Sequence, residues 1–425
     1  MNRMLIRGAR VVFPHLGLDR CADVLFEAGQ VLALDPEAGR CQDAEVVDGR
    51  GHWLIPGLTD LAVRVREPGQ SHKADIRSEA TAALLNGITR IVCPPDTAPP
   101  VDSTAVVELI LRRAREARGA QLHLVGALTR GLGEEALSEM GALRAAGCVG
   151  VGLVGRSLNN NYVLRRALQY AASLDLTVYL QPCDAPLAAG GVAHEGKVST
   201  LQGLPGIPEL AETLALARDL MLIEDTGVRA HLGRLSCARS VAMVIEAKRR
   251  GLRVSCDVAM PNVFLNENDV LPFRAAARLD PPLRTAADRD ALREGLRSGA
   301  IDCLCSDHQP HDPDAGLAPF PAVEPGASGL DSFLGLGLKL IEEGVLDLPT
   351  WLERAALAPR RVLGLPMPGL EAGAAPDFVL FDPDAQAPLL RERMHSRGRN
   401  TPFANWMLSG SVRLAAIADR IYLRS

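Results

Sequence analysis

The sequence predicts an α/β protein: a (β/α)8 barrel over residues 55–369 beside a small β-sandwich formed by residues 1–54 together with 370–425. Three observations predict it. Through the middle of the chain, short apolar runs alternate with helical patterns of ten or more residues, the mark of a parallel sheet. The number of these strand–helix units favours a closed barrel over an open sheet. At both ends the pattern changes to short strands separated by Gly, Asp and Pro. The 425 residues accommodate a barrel of about 250 residues or more plus a second, smaller domain.

Taken in order, residues 4–14 (MLIRGARVVFP), 22–35 (ADVLFEAGQVLALD) and 45–53 (EVVDGRGHW) read as strands and turns. The run Trp53-Leu54-Ile55 stops at Pro56-Gly57, a turn signal. Leu58 to Val65 then resumes as a strand buried on both faces, ending at Glu67-Pro68-Gly69. Ile76 to Asn86 has helical spacing and a stop at Gly87. After a strand at Ile88–Cys93, Ser103–Arg118 is an amphipathic helix, with Val106, Leu109 and Ile110 on one side and Arg112, Arg113 and Arg115 solvated. Further strands are expected at Leu122–Leu128, Val149–Val154, Val178–Leu180, Val228–Leu232, Val254–Val258 and Ile301–Cys305. Helices at Leu137–Ala146, Tyr162–Ser173, Leu210–Leu220, Ala238–Arg250 and Ala287–Ser298 connect them. Pro376–Ala385 and the stretch from Ser411 return to strand, and neither an internal repeat nor a low-complexity linker interrupts the pattern.

Composition narrows the function. A formal net charge of −5 and a pI near 6.0 argue against a nucleic-acid partner, whose footprint is basic. No apolar run approaches the ~18 residues of a membrane span, and the chain enters a strand-like segment at Met4 without a signal-peptide core, so a cytoplasmic protein is expected. The nine cysteines are scattered, an odd count without paired spacing, which predicts reduced thiols. Cys303 and Cys305 lie in an apolar run, where free cysteine packs as a small hydrophobe.

Several motifs stand in order along the chain. Residues 56–69 carry Pro56, Gly57, Leu58, Asp60, Arg66, Glu67, Pro68 and Gly69 in the frame PGLxDxHxHxREPG. Gly126 to Thr129 reads GALT, and Gly191 to Pro208 reads GVAHEGKVSTLQGLPGIP. Asp280 to Arg284 reads DPPLR, and Ser306 to His311 reads SDHQPH. This series resembles the dihydroorotases of the amidohydrolase superfamily over almost the whole chain. The resemblance implies a barrel whose mouth holds zinc, with both termini combined in a β-sandwich.

The positions where that family places its zinc ligands depart from it. Ala62 and Arg64 stand in place of the two histidines of the first strand. Val154 falls where a bridging carboxylate is expected, and Gln181 and Arg234 fall where two further histidines are expected. Asp307 alone is retained. Alanine and valine offer no lone pair, and guanidinium is a donor that stays protonated, so zinc is expected to be absent. Arg66 keeps the position that grips a substrate carboxylate, while Asp96 and Asp280 replace asparagines there and add negative charge. Asp307 would be a vestigial general base with no metal-bound water to work on. Arg64 and Arg234 are expected to fill the former zinc cavity and neutralise these carboxylates.

What the resemblance implies is therefore a non-catalytic dihydroorotase-like subunit of pyrimidine biosynthesis. Its implied partner is the catalytic chain of aspartate carbamoyltransferase, in a homo- or hetero-oligomer. Two alternatives stay open: an active cyclic amidohydrolase using Asp307, His308 and His311 as a nonstandard metal site, and an anion sensor acting through Arg66. His231 reads as a hydrogen-bonded buried residue, His72 and His194 as surface residues, and Asp60 as a structural residue at a strand end.

Overall fold

The computed structural model describes residues 3–27, 29–155 and 158–424. Eight parallel strands make the barrel: β1 (Leu58–Asp60), β2 (Ile88–Cys93), β3 (Gln121–Ala127), β4 (Cys148–Leu153), β5 (Val178–Leu180), β6 (Ala230–Leu232), β7 (Val254–Ala259) and β8 (Cys303–Cys305). They pair in that order. The expected first strand, Leu58 to Val65, stops early, at Asp60. Its Oδ1 accepts from Ala62 N at 3.2 Å and from Ser306 N at 3.1 Å, which bends the chain. Pairing resumes at Val63, bridged to His308; His308 N donates to Ala62 O and Arg64 N to His308 O, both at 2.9 Å. The seam between β1 and β8 is thus closed at the mouth, where Arg64 and Asp307 lie side by side in the chain path.

The connecting helices start and stop on local chemistry. Asp75 and Ser78 form a capping box at the start of the helix Ile76–Leu85, which gives way to Gly87 at φ +80°. The expected helix Leu210–Leu220 runs on as Glu209–Thr226, because nothing breaks it until Gly227 adopts a left-handed conformation. The helix expected from Leu137 begins at Met140; Leu137 is bridged to Thr129 and Ser138 N donates to Leu128 O at 3.2 Å.

The terminal strands form one mixed eight-stranded sheet. Strand Met4–Phe13 changes partners along its length. Residues 4–7 pair with Glu45–Asp48, while Arg10 and Val11 pair with Trp53 and Leu54. A register shift between Ile6 and Ala9, with Gly8 at φ +72°, separates the two segments. The sheet surrounds its own apolar core, including Ile6, Phe13, Phe26, Phe378 and Leu414. The expected boundary at residue 54 falls inside strand Trp53–Pro56, which also pairs with Asp377–Pro388. At the barrel floor Asp377 fastens the two parts together. It accepts from Thr89 Oγ1 at 2.7 Å and Arg90 Nε at 2.9 Å, and pairs with the buried Arg360. The barrel interior is filled by Leu61, Val92, Val125, Tyr179 and Cys303. Burial pushes the thiols of Cys303 and Cys305 well above their ordinary pKa, as expected for inert core cysteines.

Candidate functional site

In a barrel of this type chemistry belongs at the carboxyl ends of the strands. The loops after β1, β4, β5 and β6 bring Ala62, Arg64, Val154, Gln181 and Arg234 around a residual void of only about 40 Å³. Arg234 Nη1 donates to Asp307 Oδ1 at 2.8 Å, and Arg234 Nη2 donates to Gln181 Oε1. Gln181 Oε1 also accepts from Gly155 N at 2.9 Å. The other Asp307 oxygen, Oδ2, accepts from Gln309 Nε2 at 3.0 Å. Arg64 Nε donates to Asp96 Oδ2 at 2.7 Å, and its Nη1 lies 3.6 Å from Asp307 Oδ1. Both guanidiniums therefore occupy the mouth and meet a carboxylate there.

The electrostatics follow the pairing. Burial works against the charge on Arg234, but the Asp307 carboxylate overcomes it and holds the guanidinium pKa above its ordinary value. Burial alone would raise Asp96; the charge and hydrogen bond of Arg64 hold it below the usual range instead. Backbone geometry is unusual at three of these residues: Arg66, Arg234 and Asp307 have φ of +60°, +57° and +48°, a left-handed conformation that is uncommon away from glycine and clusters at functional sites. Asp257 supports Arg234 by accepting from its backbone N at 2.6 Å.

Arg66 donates from Nε to Pro310 O at 3.0 Å and from Nη1 to Gln70 Oε1 at 3.2 Å. Its Nη2 is buried without a partner. Burial, reinforced by the neighbouring Arg64 charge, lowers its pKa to about 10, so it remains a cation. Asp280 is half-buried and forms a direct ion pair with neither Arg64 nor Arg234, although its charge helps to hold the Arg234 guanidinium up; direct pairing is confined to Asp96 and Asp307.

The histidines are engaged elsewhere. His308 is fully buried; its Nε2 meets Glu79 Oε2 at 2.7 Å and Gly329 N donates to its Nδ1 at 3.1 Å. Both ring nitrogens are used, so His308 does not join a metal site with Asp307, contrary to that alternative. His311 Nε2 meets Pro325 O at 3.0 Å, and its Nδ1 lies 3.2 Å from Glu324 Oε2. His231 lies between Asp257 Oδ2 and Ser255 Oγ, each at 2.8 Å, as expected. His72 is exposed, but His194 is half-buried and bonded to Arg284 Nη1 at 3.1 Å; the GLPGIP loop folds back over it. Asp60 is fully buried, with Oδ2 unpartnered. Burial raises its pKa to about 6.

A catalytic zinc needs three or more nitrogen, sulfur or carboxylate donors aimed at one point. Among the described residues no three His, Cys, Asp or Glu side chains converge in that way. Asp307 faces a guanidinium and an amide, so the residues present do not fit the ion. Glu79 and Gln309 escaped the sequence reading. Glu79 sits on the apolar face of its helix between Ile76 and Ala83, and an acid at a core position is the signal that could have revealed it.

A sequence profile described as Dihydro-orotase-like matches residues 51–240. A dihydroorotase-like protein of Pseudomonas aeruginosa is 46% identical over 412 residues, covering 97% of each chain. The chain belongs to the dihydroorotase-like family. A second dihydroorotase-like protein, from Pseudomonas putida, is 45% identical over 98% of both chains. A dihydroorotase of Syntrophus aciditrophicus is 37% identical over 99% of both. The L-hydantoinase (dihydropyrimidinase) of Arthrobacter aurescens superposes with a TM-score of 0.85 at 21% identity, covering 99% of this chain and 96% of that one. That likeness establishes the shared barrel-plus-sheet architecture. The dihydroorotase-like family is of the cyclic amidohydrolase type.

Proposed function

We propose that this dihydroorotase-like chain is non-catalytic and serves pyrimidine biosynthesis as a cytoplasmic structural subunit, assembled with the catalytic chain of aspartate carbamoyltransferase. One observation carries the inactivity: Arg234 and Gln309 occupy both oxygens of Asp307, the carboxylate that would act as general base. Hydrolysis of a ring amide needs a water held against that base and activated; guanidinium and amide donors take the place of both. Asp96, close to Arg66, would repel an anionic substrate. The partner rests on family resemblance, supported by a complete barrel retained without its donors, which leaves the outer surface as the part in use. None of the described helices is long and apolar enough to cross a membrane.

The test is metal analysis of the purified chain together with a dihydroorotate ring-opening assay. Substoichiometric zinc and no turnover are expected; one tightly held zinc per chain with turnover would end this reading. Ala62→His combined with Arg64→His supplies two imidazoles beside Asp307 and is expected to raise zinc content toward one ion per chain. For the partner, co-expression with the transferase chain should yield one large complex on gel filtration. Separate elution at micromolar concentrations would remove that part of the proposal while leaving the inactivity intact.

A further inference from the structure

The helix Glu209–Thr226 is apolar on both sides. Its inner face, with Ala211, Ala215, Leu216 and Ile223, is buried. Its outer face carries Leu210, Leu214 and Met221, which are 49%, 47% and 71% exposed, with half-buried Ala217 between the last two. A surface helix ordinarily turns polar residues outward, and one that is apolar all round is covered. Neighbouring elements extend the face. Arg165 Nε donates to Asp225 Oδ2 at 2.7 Å and Arg218 Nη1 to Leu158 O at 2.9 Å, which sets Tyr162, 66% exposed, level with Met221. On the other side the helix Ala238–Arg249 packs alongside and presents Ile245, 41% exposed. Asp184 N donates to Ala211 O at 2.7 Å, bringing exposed Leu187 beside the first turn. The six large residues together expose on the order of 500 Å² of mostly apolar surface. A standard interface buries about 800 Å² per partner, and about 65% of a homodimer interface is apolar, so the face matches the apolar part of one.

Two features make this face complementary to itself. Leu210, Leu214, Ala217 and Met221 follow spacings of four, three and four residues, the period of a coiled-coil seam, and the spacings read the same in both directions. A two-fold axis crossing the helix between Leu214 and Ala217 sets Leu210 against Met221 of a second copy and Leu214 over its small Ala217, as an isologous contact requires. The second feature is charge. The Arg250–Glu224 pair fixes the level of the helix Ala238–Arg249, so the same axis passes near Ala242. Exposed Arg239 and Glu246 lie on opposite sides of that point, and each Arg239 approaches the other copy's Glu246. Arg239 has no ion-pair partner among the described residues, and the Glu246 side chain pairs with Arg249 alone, at 3.5 Å.

We propose that the outer face of Glu209–Thr226 is a two-fold interface between two copies of this chain, with the helices antiparallel. It stands or falls apart from the transferase assembly proposed above, because it needs neither catalysis nor a second kind of chain. Sedimentation equilibrium of the full chain alone at micromolar concentrations tests it. A dimer is expected, weakened about a hundredfold or more by Leu214→Glu with Met221→Glu, and thermal melts check that this variant folds. Charge reversal is an independent reading: Arg239→Glu meets Glu246 of the other copy and should weaken the dimer about tenfold, while Arg239→Glu with Glu246→Arg restores it. A monomeric wild type, a dimer indifferent to Leu214→Glu with Met221→Glu, or one that the charge reversals do not weaken and restore in turn overturns the proposal. A chain that is monomeric alone, but whose complex with the transferase is lost through Leu214→Glu and Met221→Glu, overturns it too and assigns the face to that partner.

Discussion

At the floor of the barrel, Asp377 collects Thr89, Arg90 and Arg360; at the mouth, Asp307 collects Arg234 and Gln309, with Arg64 just beyond. The two clusters use the same chemistry, arginine against a buried aspartate, at opposite ends of one set of strands. Arg360 is 1% exposed and Asp377 4%, and the floor cluster ties the barrel to the terminal sheet. The mouth cluster ties strand-end loops to one another and sits over a void of about 40 Å³. Buried ion pairs are neutral or unfavourable against apolar packing, but breaking one partner is expensive. At the floor that makes the cluster a clasp between two parts of the fold. At the mouth it makes the cluster a plug between the strand-end loops.

Substitutions sharpen this contrast. The largest loss is expected at the floor: Asp377→Asn strands two guanidiniums and should cost about 3–5 kcal/mol in urea unfolding. Arg234→Met at the mouth should cost less, about 2–3 kcal/mol, because Arg64 lies 3.6 Å from Asp307 and takes up part of its charge. A larger loss at the mouth than at the floor would reverse the assignment of clasp and plug. Gln181→Ala removes the acceptor shared by Arg234 and Gly155 N and should cost about 1.5 kcal/mol, the smallest of the set.

Solution pH probes the seam next to the plug. The raised Asp60 pKa, about 6, means that between about pH 4 and pH 6 the folded chain keeps a proton the unfolded chain has released. Stability therefore falls as pH rises through that window, by about 3 kcal/mol at most from this group. Buried Asp219, also raised to about 6, adds to the same slope. Asp96 and Asp257, held below their ordinary values, act oppositely: the stability they confer is lost only as pH falls below about 4. Asp60→Asn mimics the protonated acid and should flatten its share of the decline. Denaturant midpoints at pH 4 and pH 6.5 measure it, and an unchanged slope in the variant would show that Asp60 carries no proton in the fold.

Most of the barrel was legible in the chain because its strands are apolar runs ended by Gly and Pro, and periodicity is a local property. Ile88–Cys93 and Val178–Leu180 match the structure residue for residue. Where reading failed, a longer-range contact decided. Asp60 ends β1 by bonding to Ser306, 246 positions away. His308 looked available beside Asp307 until Glu79, 229 positions earlier, claimed it. That Arg64 and Arg234 would meet carboxylates at the mouth could be anticipated from the kinds of residue at those positions; that Asp280 would act on Arg234 only through its charge could not.

By itself the sequence determined the family and the barrel. These follow from residue identity and from patterns that repeat every two or four residues. Only the tertiary structure decided which carboxylate each guanidinium meets and which histidines are spent on packing. Those outcomes depend on side chains drawn together from strands hundreds of residues apart, where burial and pairing are settled jointly and no local pattern records them.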